Sequence, residues 1–216
     1  MAALGQSIRR SAIGLGLFAI ITGGTIAVTQ VMTAERIEQQ AARAEARALF
    51  EIIPQSAHNN DLLSDTVTLP ADPRLGSQQP VTGWVARLDG EPVGIILPVT
   101  APDGYSGNIR LLVGIDPEGT VLGVRVTSHR ETPGLGDKVE LKKSDWVLDF
   151  TGRSLTNPEP KRWNVAKNGG VFDQFTGATI TPRAVVKAVQ HALVYVRQHR
   201  SDLRHAFRNP QHGENS

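Results

Sequence analysis

The sequence predicts an α+β protein: one N-terminal transmembrane helix, then a single domain with an antiparallel sheet flanked by helices. Three observations carry this. Residues 11–34 form a charge-free apolar run. Apolar alternating segments occur in pairs joined by short turns containing Gly. The last regular stretch, beginning at Thr181 and Pro182, repeats its apolar residues at helical spacing.

The first element is "SAIGLGLFAIITGGTIAVTQVMTA", residues 11–34. About 20 such residues cross a ~30 Å hydrocarbon layer as a helix. Gly23 and Gly24 lower soluble-helix propensity but are common in membrane helices. A cleaved signal peptide would need a shorter apolar core followed by a small-x-small site. The tidy candidate, Ala42-Arg43-Ala44, lies too far downstream. Arg9 and Arg10 precede the span and favour a cytoplasmic N-terminus, while Arg36, Arg43 and Arg47 follow it and weaken that bias.

Residues 35–53 are rich in Ala, Glu, Arg and Gln, with a thin apolar stripe, and predict a helix ended by Pro54. "QSAHNNDL" reads as a loop. Residues 65–69 alternate as a strand. Segments 84–88 and 93–99 flank Asp89-Gly90-Glu91-Pro92, a hairpin signal, and segments 109–115 and 121–126 flank "DPEGT", a second. Thr181 is a good N-cap residue and Pro182 suits the first helical position. Val185, Val186, Val189, Ala192, Leu193 and Val196 then share one helix face, opposite Arg183, Lys187, Gln190 and Arg197. The expected organisation is a cytoplasmic N-terminus at 1–10, the membrane helix at 11–34, one soluble domain at 35–208 and a disordered tail at 209–216.

Composition narrows the function. A net charge of +2 offers no strongly basic surface for nucleic acid. The chain has no Cys, which excludes disulfides, iron–sulfur clusters and thiolate chemistry. The six His are scattered without ligand spacing, which argues against a metal site.

Four stretches remain that suit a ligand. "DQFTGAT", residues 173–179, puts two hydroxyls and a slim Gly-Ala pair just before the last helix. A helix N-terminus has unpaired N–H groups and the positive end of the macrodipole, so it favours a phosphate. An ordinary strand-to-helix turn has a similar composition. "SHRETPGLGDKVE", residues 128–140, offers loop amides with Glu131 and Asp137 as acceptors; it is not a dinucleotide fingerprint, since GxGxxG and a βαβ unit are absent. "DGYSGNIR", residues 103–110, holds Tyr105, whose ring suits stacking on a planar group. "KNGGVFD", residues 167–173, is another polar loop. Each alone also reads as a surface connector.

Taken together these stretches resemble the G subunit of the Rnf (or Rsx) membrane electron-transport complex. The pattern Asp-x-x-(Ser/Thr)-Gly-Ala-(Thr/Ser) is met by Asp173, Thr176, Gly177, Ala178 and Thr179. "GYSGNIRLLVGID", "HRETPGLGDK" and the anchor extend the likeness over nearly the whole chain. The resemblance implies a periplasmic FMN-binding domain on a single inner-membrane helix, with FMN joined to Thr179 by a phosphoester bond. A Thr hydroxyl is a poor nucleophile without activation. The resemblance supplies a separate flavin transferase, which takes FMN from FAD with Mg²⁺ and for which Asp173 and Thr176 form part of the recognition sequence. Tyr105, Glu131, Thr132, Leu135, Gly136 and Lys167 are the candidates for the ring and ribityl surroundings. Thr176 is the nearest alternative attachment point.

The implied role is an electron relay among neighbouring subunits of a ferredoxin:NAD⁺ oxidoreductase coupled to ion translocation, or of its Rsx form that reduces a redox regulator. The anchored FMN-threonine subunit of the sodium-pumping NADH:quinone oxidoreductase shares the membrane helix, motif and fold, but that family tends to be longer. A membrane-tethered module holding flavin noncovalently, or none, is a different class.

Overall fold

The computed structural model describes residues 2–201 and 203. The expected tail at 209–216 and the expected end of the domain at 208 lie outside these residues. The chain divides into two units, Met1–Ala44 and Glu45–Ser216.

Helix α1 runs over Ala2–Ile52. In the first unit it contains the apolar span Arg9–Ala34, of mean hydropathy 1.9, none of which is buried by protein. Thr22, Thr25 and Thr29 donate their hydroxyls to the carbonyls of Phe18, Ile21 and Thr25 at 2.7–2.8 Å. A helix able to cross lipid must satisfy its hydroxyls internally, and these bonds do so. The helix ends just before Pro54, as the sequence indicates.

The second unit is a five-stranded antiparallel meander in the order β1-β2-β3-β4-β5. Its strands are β1 (Thr66–Leu69), β2 (Val81–Leu88), β3 (Glu91–Gly104), β4 (Gly107–Ile115) and β5 (Val121–Ser128). Asp89 and Gly90 join β2 to β3 with φ of 53° and 85°, the double positive φ of a type I′ hairpin. The sequence pattern ends β3 at 99, because Ala-Pro-Asp-Gly reads as a turn. In the structure β3 continues through an irregularity between Ala101 and Gly104 and pairs Gly104 with Gly107, so that Tyr105 and Ser106 form the hairpin tip.

Strand alternation sorts the core into two layers. Leu97, Val99, Leu111 and Val113 face the larger core, which they share with α2 residues Val185, Val189 and Leu193. Ile96 and Leu112 face the other way, against Leu49 and Ile52 from the end of α1 and against Leu62. The sheet is thus covered on both faces by helix.

Helix α2 spans Ile180–Gln198. Its buried face is the one expected, with Arg183, Lys187 and Arg197 exposed and Gln190 half-buried. Its start differs from the expectation: the N-cap is Thr179, not Thr181. Thr181 is buried inside the first turn and gives its hydroxyl to the Glu131 carboxylate. Pro182 sits two residues inside the helix rather than at its first position. It is tolerated because the first helical amides have no intrahelical acceptor, so its missing N–H removes no bond.

Between β5 and α2 the chain is irregular, with 3₁₀ turns at Asp137–Val139, Asp145–Phe150, Pro160–Arg162 and Ala166–Asn168. An aromatic cluster packs this region together. Phe150 stacks on Phe172 with centroids 4.5 Å apart, Trp163 lies 5.3 Å from Phe172, and Trp146 meets Phe175 edge-on at 5.1 Å.

Candidate functional site

The turn at 173–179 is held from below and open from above. Phe172 and Phe175 are buried in the aromatic cluster, whereas Asp173, Thr176 and Gly177 are exposed. The indole N–H of Trp146 donates to the Asp173 carbonyl at 2.8 Å and fixes the backbone between the two rings. Phe175 to Ala178 close a β-turn, with the Ala178 N–H on the Phe175 carbonyl at 3.0 Å. Gly177 at its third position has φ of 81°, the left-handed conformation a type II turn requires. Ala178 and Thr179 are half-buried, and α2 begins immediately after.

Thr179 is the N-cap of α2, yet its hydroxyl makes no capping hydrogen bond. The first amides of the helix, beside it, have no carbonyl four residues back to bond. A free hydroxyl thus sits at the positive end of a 19-residue helix.

The other three stretches come to the same place. Glu131, 4% exposed, accepts the Ser106 N–H through Oε1 at 2.9 Å and the Thr181 hydroxyl through Oε2. It thereby ties the β3–β4 tip and the first turn of α2 to its own loop. Thr132 is exposed, and its carbonyl accepts the N–H groups of Leu135 and Gly136 at 3.1 and 3.0 Å. Gly136 is buried, and a Cβ on it would lie 2.8 Å from Glu131 Cβ and 2.9 Å from Thr181 Oγ1. Only Gly lets the loop approach α2 this closely. Leu135 reaches the turn itself: its Cδ2 would lie 3.5 Å from a Cβ on Gly177. Lys167 is exposed, and its backbone N–H donates to Gln174 Oε1 at 3.0 Å, which ties the fourth stretch to the turn.

His129 supports Glu131 from behind. Its Nδ1 accepts the Glu131 N–H at 3.0 Å, so the ring proton is on Nε2, which donates to Glu140 Oε1 at 2.6 Å.

The sequence points to Ser106 to Asn108 as hydrogen-bonding residues but not to the Ser106–Glu131 bond, the roles of His129 and Gln174, or the bond between Glu131 and Thr181. Their signal is weak: Glu131 and Thr181 are 50 residues apart with no local pattern linking them. One signal was available, the surplus of apolar residues in polar loops. Tyr105, Leu135 and Ile180 are 70%, 43% and 45% exposed, large apolar groups left in solvent on the segments that Glu131 joins or that adjoin Thr179. Exposed apolar groups beside a helix N-terminus suit a ligand with a flat apolar part and an anionic end. FMN has that form, and the residues fit it.

Comparison with known proteins agrees. Residues 104–194 match the model of an FMN-binding domain, and residues 1–52 match that of the RnfG N-terminal region. The ion-translocating oxidoreductase complex G subunit of Vibrio cholerae serotype O1 is 48% identical over 208 residues, covering 96% of this chain and 99% of the relative. The chain belongs to the RnfG family. The proteins of the same name from Pseudomonas aeruginosa and Shewanella piezotolerans are 48% and 45% identical over 202 and 198 residues, with 94% and 92% of this chain covered and 94% and 93% of the relatives. In this RnfG-family chain the FMN-binding match takes in the β3–β4 tip, the Glu131 loop, the Lys167 loop, the Thr179 turn and most of α2.

Proposed function

We propose that this chain is the FMN-bearing electron-relay component of a membrane-bound ion-translocating oxidoreductase complex, with FMN joined to Thr179 Oγ1 by a phosphoester bond. The observation that carries the proposal is the free Thr179 hydroxyl at the N-cap of α2, on an exposed turn that meets the full attachment pattern. The relatives' name supplies the complex, and the match to the RnfG N-terminal region favours the Rnf type over the sodium-pumping NADH:quinone oxidoreductase.

FMN supplies reversible electron transfer, one or two electrons at a time, when bound. The chain's residues do the rest. Thr179 Oγ1 would give its proton to a base of the separate transferase and form the bond to the FMN phosphorus of FAD, while the pyrophosphate P–O bond breaks and AMP leaves. Asp173 and Thr176, displayed between and beside the buried Phe172 and Phe175, are available for that enzyme to recognise. The first amides of α2 stabilise the phosphate charge. Tyr105 and Leu135, both exposed, would cover apolar parts of the ring, and Thr132 and Lys167 would supply polar partners. The tether keeps the cofactor on a domain in the periplasm, anchored in the inner membrane by the span within α1, with the N-terminus in the cytoplasm. The partners are the other subunits of the complex.

The test is the intact mass, under denaturing conditions, of the full chain coexpressed with a flavin transferase. A gain of FMN less one water, lost in Thr179→Ala, is the expected result. No adduct on the wild type, with the transferase active on a control protein, would replace the proposal with a noncovalent binding module.

A further inference from the structure

Glu131 sits where a flavin contact is expected, but it turns inward. Its side chain is 4% exposed, and both carboxylate oxygens are held by the protein's own donors. A buried carboxylate is costly unless its lone pairs are met. Here each oxygen accepts one donor, and the two donors come from different parts of the chain. Ser106 follows Tyr105 at the β3–β4 tip, and Thr181 lies two residues beyond Thr179. The backbone of Glu131 is itself pinned through His129 to Glu140. Next along the same loop, Leu135 reaches Gly177.

On the reading that Thr179 carries FMN, we propose that Glu131 is the positioning residue of the flavin site. From inside the protein it holds the Tyr105 tip, the Leu135 loop and the first turn of α2 in one arrangement, without touching the cofactor. The two bonds divide the work. The Ser106 bond sets where the Tyr105 ring can lie. The Thr181 bond removes a competing hydroxyl from the helix entry, so that Thr179 takes the N-cap and its amides stay open. The hydrogen-bonding oxygens carry this role, so an amide, which keeps an acceptor for Ser106 and a polar partner for Thr181, preserves it.

The test uses the full chain in detergent micelles and two readouts. The first is hydrogen exchange, by mass spectrometry, of the peptide over residues 103–110 in protein made without the transferase. The second is the visible circular dichroism of FMN in the flavinylated protein, which reports how rigidly the ring is held. Glu131→Ala should exchange faster there by roughly tenfold or more, the loss of one hydrogen bond to a charged acceptor, and should lose most of the flavin signal. Glu131→Gln should keep both near the wild type. Wild-type exchange and dichroism in a folded Glu131→Ala would overturn the proposal. So would a Glu131→Gln variant as loose as Glu131→Ala. If Glu131→Ala does not fold, Thr181→Val decides: faster exchange over residues 179–183 with a weakened flavin signal supports the brace, and no change in either refutes it. The exchange readout needs no flavin, so loss of the tether and loss of the brace are separate results.

Discussion

Phe172→Ala tests whether the aromatic cluster holds the Thr179 turn. Phe172 is fully buried, stacked on Phe150 at 4.5 Å and packed on Trp163 at 5.3 Å, with the Arg153 guanidinium 5.9 Å from its centroid. A buried aromatic side chain removes about 150–250 Å² from water, or about 4–6 kcal/mol at 25 cal/mol/Å². Alanine keeps part of that burial and leaves a cavity, so a loss of about 3–5 kcal/mol is expected. For a domain of this size that lowers the melting temperature by about 6–20 °C. Equilibrium urea unfolding, followed by Trp fluorescence, is the assay, since Trp146 and Trp163 report from the cluster itself. The Thr179 adduct should also form to a lower extent, because Asp173 and Thr176 lose one of the two rings that present them. A loss below about 1 kcal/mol would refute the reasoning, since a well-packed buried ring cannot be removed so cheaply.

Thr179→Ser should retain the FMN adduct by intact mass, because a primary hydroxyl at an N-cap keeps both the oxygen and its place beside the helix amides. Gly177→Ala should cost about 1–2 kcal/mol in urea unfolding through its positive φ alone, since the added Cβ meets Leu135 at an ordinary 3.5 Å. Gly177→Asn should cost less, because Asn tolerates that conformation; equal costs would mean that space, not backbone, decides. Burial holds the His191 imidazole below its ordinary value, helped by Lys187 and Arg74 and opposed by Asp103 and Asp72. The unfolded chain therefore takes up the proton first. The His191 contribution is complete above about pH 6.5 and is lost as pH falls through the lowered native value. Urea midpoints measured from pH 7.5 down to 5.5 should fall less steeply in His191→Gln, and identical slopes would contradict this.

The parts of the fold that local chemistry dictates were legible before the structure. The apolar helix long enough to cross a membrane needs only a charge-free run of sufficient length. Strand alternation and Gly-bearing turns marked four of the five strands by hairpin pairing, and the α2 face followed from helical spacing. The start of α2 was misplaced for a physical reason. Thr181 and Pro182 have the local preferences of a helix entry, but a buried carboxylate from a distant loop captures the Thr181 hydroxyl and the cap moves to Thr179. The extent of β3 was missed because Pro and Gly signal a turn locally, while pairing with β4 carries the strand past them.

Sequence by itself determined what this protein can carry: an apolar span long enough for a membrane, no Cys chemistry, and a hydroxyl in an attachment pattern before a helix. Those are properties of residue type and short spacing. Tertiary structure decided how that hydroxyl is presented. Buried Phe rings push the polar residues between and beside them outward, and Glu131 gathers loops that are far apart in the chain. No local pattern encodes that gathering, because a hydrogen bond across 50 residues exists only once α2 has packed against the sheet and brought Thr181 to the loop after β5.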